Sequence, residues 1–161
     1  MPTVKQRPER GTIATKSLDL LIAKFDPPVA RLLRQARSAL RKVFPTAVEL
    51  VYDNYNALAI GWGPNERASE VIVSLAGYAR GVNLYFVHGA KLDDPHGLLE
   101  GNGRQGRFIR LENSVQLSDS RIQALLAAAQ ALGKTALPAS GKGYTVIKSI
   151  SAKQRPRRAD T

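Results

Sequence analysis

At 161 residues, 43% hydrophobic and 23% charged, the chain has the size and make-up of one globular domain with extended ends. It contains no cysteine, which excludes a disulfide framework, a thiolate-held metal or iron–sulfur cluster, and a thiol nucleophile. The net charge of +11 invites an anionic partner, but residues 1–16 and 148–161 carry +7 of it, so the middle of the chain is only mildly basic.

No window approaches the roughly 18 apolar residues of a membrane span, and the basic start lacks the apolar core of a secretory signal. A cytoplasmic protein with no membrane partner is expected. Residues 1–16 and 148–161 combine proline and charge with few apolar side chains and read as disordered basic tails. Residues 17–147 are left as the folded domain.

In chain order, Leu18, Leu21, Ile22 and Phe25 fall at helical spacing behind Ser17, a candidate N-cap. Asp26-Pro27-Pro28 breaks that helix and restarts a second, with Asp26 able to cap it and proline tolerated in the first turn. The second helix runs to about Val43, before Pro45. Val29, Leu32, Leu33, Ala36, Leu40 and Val43 form its apolar stripe, and Arg31, Arg34, Arg37, Arg41 and Lys42 lie on the opposite arc.

From residue 47 the period changes to two. Val48, Leu50 and Tyr52 alternate with Glu49, Val51 and Asp53. Residues 57–62, 70–78, 81–87 and 107–112 are further strand-like runs separated by short turns, which favours antiparallel pairing. Ser118 or Ser120 can cap a last helix with Ile122, Leu125, Leu126, Ala129 and Leu132 on its apolar side and Gly133 at its stop. Residues 144–150 fit either a late strand or part of the tail. The expected class is α+β: one antiparallel sheet of about five strands, covered on one face by N- and C-terminal helices.

Several motifs invite a ligand. Gly101, Gly103 and Gly106 match G-x-G-x-x-G, but the run leads into a strand where a dinucleotide cradle needs a helix. Leu132-Gly133-Lys134-Thr135 resembles the end of a phosphate loop, yet Ala128 stands where a glycine is needed and the run follows a helix. His88, Asp93, Asp94 and His96 put two imidazoles and two carboxylates within nine residues, a candidate metal set; Asp94 equally suits a turn cap before Leu98. Trp62, Tyr52, Tyr55, Tyr78, Tyr85 and Phe86 could stack bases, although strand aromatics are more often core. The helix arginines Arg31, Arg34, Arg37 and Arg41, together with Arg104, Arg107 and Arg110, are the candidate anion-binding set.

The segment order SLDLLIAKFDPPVARLLRQARSALRKVFPTAVELVYDNYNALAIGW, continued through VNLYFVHGAKL, GLLEGNGRQGRFIRLENS and the SRIQALLAAA helix, resembles the YdhG-like family of domains (DUF 1801 type) over roughly residues 17–132. The resemblance implies a compact α+β domain, described for some members as frataxin-like with a role as intracellular iron chaperones. It also implies that Gly101 and Gly103 serve a turn before the last strand. Frataxin-type iron binding uses a carboxylate-rich face on the first long helix and first strand. Here arginines fill that helix, and Asp26, Glu49 and Asp53 are the nearby carboxylates. The expectation is therefore a non-enzymatic binding module for an anionic partner, a nucleic acid or phosphorylated ligand. The alternative is an iron-binding carrier.

Overall fold

The structure, a computed structural model, describes residues 8–159. Its elements are β1 (Glu9–Arg10), α1 (Gly11–Ile22), α2 (Pro27–Val43), β2 (Val48–Asp53), β3 (Leu58–Gly63), β4 (Val73–Tyr78), β5 (Gly81–Phe86), β6 (Arg107–Leu111), α3 (Ser120–Leu132) and β7 (Thr145–Ile150). The strands form a single seven-stranded sheet in the order β1-β7-β2-β3-β4-β5-β6. The class is α+β. The sheet is mixed, not purely antiparallel, because β7 lies parallel to β2 while the other neighbours are antiparallel.

Both expected tails are shorter than their composition suggested. Helix α1 starts at Gly11, where Ala14 extends the apolar stripe one turn earlier and is fully buried. Ser17 is therefore inside the helix, and its hydroxyl bonds the Glu9 carboxylate instead of capping. At the other end, residues 145–150 form β7, inserted between β1 and β2, and Thr145, Val146 and Ile147 are buried. Residues 1–7 of the expected N-terminal tail lie outside the described residues.

Helix α2 follows the expected bounds, with proline in its first turn. Asp26 makes no capping bond to it; its carboxylate accepts from the backbone N–H of Ala159 at 3.1 Å. Helix α3 is capped by Asp119, not by either neighbouring serine. The Asp119 carboxylate accepts from Arg121 N at 2.8 Å and pairs with the Arg121 guanidinium. Before it, a 3-10 turn at Ser114–Ser118 is closed by a reciprocal Asn113–Gln116 capping box.

Hydrogen bonds from Arg121 hold the Asp119 carboxyl down at about 2. A depressed carboxylate contributes stability above its unfolded value that is lost as pH falls through the folded one. An NMR titration is expected to show Asp119 still ionised at a pH where exposed aspartates are half-protonated. The α3 amides should lose protection between roughly pH 4 and 2. An ordinary Asp119 midpoint would remove the cap from the account.

Strand alternation divides the sheet into two faces. Val51, Ile60, Leu75, Leu84 and Ile109 face the helices and join Leu18, Ile22, Leu33, Leu40, Ile122 and Leu126 in the main core. On the reverse face a smaller cluster of Val48, Leu50, Val71 and Val146 is covered by the β3–β4 connection. Gly61 lies under Val71, with room for no side chain there: an added Cβ would approach Val71 Cγ1 to 2.8 Å.

Candidate anion-binding surface

Strand β2 aims Glu49, Val51 and Asp53 at the helix layer, so two carboxylates enter the core. A buried carboxylate survives only with compensating partners. Glu49 is 0% exposed. It accepts from Arg37 Nε and Nη2 at 2.9–3.0 Å and from Thr145 Oγ1 at 2.7 Å, and Arg41 Nη2 lies 3.7 Å away. Arg41 also donates to the Ala47 carbonyl at 2.7 Å. Burial pushes the Arg41 guanidinium below its ordinary value, Glu49 opposes that, and Arg37 adds to it. Asp53 accepts from Arg157 Nη2 at 2.8 Å and Gln154 Nε2 at 2.6 Å.

These pairs redistribute the expected anion-binding residues. Arg37 and Arg41 point inward to Glu49 and are structural. Arg107 donates to the carbonyls of Gly103 and Gly106, closing its own loop. Arg110 lies on the reverse sheet face and donates to the Arg80 carbonyl at 2.9 Å. Helix α2 and Arg110 thus sit on opposite sides of the sheet, and the seven arginines form no single patch. Arg31, Arg34 and Arg104 stay exposed.

The glycine run is a turn into β6, with Glu100 and Phe108 bridged across it. Gly106 packs so closely on the Tyr85 hydroxyl that a Cβ would overlap it. The candidate metal residues are not gathered either. Both Asp94 oxygens accept backbone N–H groups, of Leu98 and Leu99, each at 2.9 Å. Among the described residues no three His, Asp or Glu side chains form a metal-holding group. The carboxylates near α2 serve arginines: Glu49 and Asp53 as above, and Asp26 with Arg158 at 3.7 Å. The aromatic set is divided as well. Trp62 and Phe86 are core, Tyr52, Tyr78 and Tyr85 lie on the reverse face, and Tyr55 stands at the β2–β3 hairpin.

A cleft does open beside α2. The helix contains no acidic residue, and Arg31, Arg34, Gln35, Ser38 and Lys42 fall within one arc at 100° per residue. The lower part of this flank meets the Ser114–Ser118 turn and the start of α3 in a cleft of about 620 Å³. Its polar lining is Gln35, Ser38, Lys42, Ser114, Ser118 and Gln123, over Ala39, Val43 and Leu117. No carboxylate lines it. Among the described residues, no ion pair uses Arg31, Arg34 or Lys42. Serine, glutamine and lysine donors without a competing acid suit oxygen-rich anions. Charge and helix spacing point to Arg31, Arg34, Arg37 and Arg41, of which the last two are paired with Glu49; Lys42 lies on the same basic arc but is not among the expected anion-binding residues. Ser114 carries no sequence signal and Ser118 reads only as a helix cap, because what makes them part of a site is the packing of the Ser114–Ser118 turn against α2.

Among the described residues, no helix is long and apolar enough to cross a membrane. Comparisons with protein-family models, curated proteins and solved structures return no match to this chain.

Proposed function

We propose that the chain is a YdhG-like binding module for a phosphate-bearing anionic partner, held at the α2 flank and its cleft. The observation that carries this is the acid-free arc of Arg31, Arg34 and Lys42 running into a cleft lined by hydroxyls and amides. Lys42 supplies a compact charge that is not spent on an internal pair. Ser38, Ser114 and Ser118 donate to phosphate oxygens, and the amides of Gln35 and Gln123 supply further donors. Arg31 and Arg34 extend the positive field beyond the cleft and attract the anion. The iron-carrier alternative has no comparable support, since Asp26, Glu49 and Asp53 are committed to arginines.

The test is thermal melting with inorganic pyrophosphate at low ionic strength. At about a hundredfold excess over Kd, a single site adds about 2.7 kcal/mol. For a chain of this size that raises Tm by roughly 5–10 °C. Lys42→Gln is expected to abolish most of the rise while melting normally without ligand. A rise equal in wild type and Lys42→Gln would be a general salt effect and would refute the cleft as the site.

A further inference from the structure

The basic C-terminal segment is docked, and the way it is docked creates a second surface. Ser151 N donates to the Asp53 carbonyl at 2.8 Å, and Arg155 N donates to the Tyr55 carbonyl at 2.9 Å. Arg157 is only 6% exposed. Its guanidinium reaches Asp53 Oδ1 at 2.8 Å and the Asn54 carbonyl at 2.5 Å, and it lies 5.8 Å from the centre of the Phe25 ring. Arg158 Nε donates to the Lys24 carbonyl at 3.2 Å, and Asp26 receives the Ala159 N–H. The α1–α2 turn, the β2–β3 hairpin and residues 151–159 therefore meet at one pole of the molecule.

Two consequences follow for that pole. First, both of its described carboxylates are engaged: Asp53 by Arg157 and Gln154, Asp26 by Arg158 and Ala159 N. Against them stand Lys24, Lys153, Arg155, Arg157 and Arg158, a net +3 among the described residues. Second, Tyr55 is 50% exposed at the hairpin, and the Arg155 guanidinium lies over its ring at 5.7 Å from the centroid. An exposed aromatic paired with a planar cation, at a pole that carries further cations, joins a stacking element to a phosphate-binding field.

The buried Arg157–Asp53 pair fits this arrangement. Such a pair adds little net stability over an apolar isostere, but it fixes position. Here it fixes the register of the residues on either side of it, and so where Arg155, Lys153 and Arg158 stand relative to Tyr55.

We propose that this pole binds single-stranded nucleic acid, with an unpaired base extending the Tyr55–Arg155 stack and neighbouring phosphates facing Lys153, Lys24 and Arg158. Single strands are specified because a paired base in a duplex has no free face to offer this stack. The site is separate from the α2 cleft, which none of these residues lines.

The experiment is fluorescence anisotropy with the full chain, using a labelled pyrimidine 12-mer and its duplex between about 50 and 200 mM salt, conditions over which phosphate contacts lose affinity steeply. For the single strand, log K against log salt is expected to have a slope near −2, from about three phosphates at −0.7 each. Tyr55→Ala is expected to weaken single-strand binding by about 5–100-fold with the slope unchanged. Arg155→Lys, which keeps the charge and loses the plane, should weaken it in the same way. Lys153→Gln should instead flatten the slope by about 0.7. All three positions are exposed, and a native circular dichroism spectrum confirms folding. The proposal is overturned if the single strand does not bind at the lowest salt. It is equally overturned if Tyr55→Ala binds as wild type, or if the duplex binds more tightly with no dependence on Tyr55.

Discussion

In chemical denaturation Glu49→Ala is expected to lose about 3–5 kcal/mol, with the m-value unchanged. Glu49 is fully buried and accepts from Arg37 and Thr145. Its removal strands two guanidinium groups whose side chains are only 21% and 29% exposed. It also leaves the Thr145 hydroxyl without its acceptor in the strand that joins β1 to β2. Arg41 cannot swing out freely, because it also holds the Ala47 carbonyl, and Gly143 packs so tightly against both that any Cβ would overlap them. Glu49→Gln keeps one acceptor oxygen and should lose less. Replacing Glu49 with leucine together with Arg37→Met should recover part of the loss, since a buried pair is costly mainly when half of it remains. A loss under about 1 kcal/mol for Glu49→Ala would mean that the arginines reach water, and the network would not be holding α2 to β2 and β7.

The second large effect is at the C-terminal latch, and it has a different form. Arg157→Ala leaves Asp53, 2% exposed, with Gln154 and with Lys24 at 4.0 Å. If the segment stayed docked, the cost would approach about 3–5 kcal/mol. Residues 151–159 can undock, however, which rehydrates Asp53 and caps the penalty below that of Glu49→Ala. The expected result is local opening. Amide exchange should accelerate from Ser151 onward, trypsin should cut sooner after Lys153 and Arg158 (the Arg155–Pro156 bond resists it), and α2 and β3–β5 should keep their protection. Asp53→Asn should reproduce this pattern. Unchanged cleavage in both variants would show that backbone bonds alone, such as Arg155 N to the Tyr55 carbonyl, keep the segment in place.

Much of the fold is legible in the chain because it is locally encoded. The Pro27-Pro28 break, the helical spacing through Leu33, Ala36 and Leu40, and the period-two runs at 47–55, 81–87 and 107–112 each depend on near neighbours. The alternation of β2 already put Glu49, Val51 and Asp53 on one side. What the alternation left open is which side was buried, since two carboxylates read as a solvent face. Their partners are 12 residues away for Arg37 and 104 away for Arg157, and no local pattern reports pairing at that distance.

The ends show the same limit. Lysine, arginine and proline made residues 148–161 resemble a tail, because composition measures how little apolar surface a segment buries by itself. Strand β7 joins the sheet through neighbours that others supply: parallel pairing with β2, and β1 laid along its free edge. Composition, charge and periodicity by themselves determined an α+β chain with a basic, acid-free second helix. Tertiary structure alone decided which arginines remain free. A charge on a helix is available to a ligand only where the fold brings no carboxylate to it, and that depends on the register of strands far away in sequence.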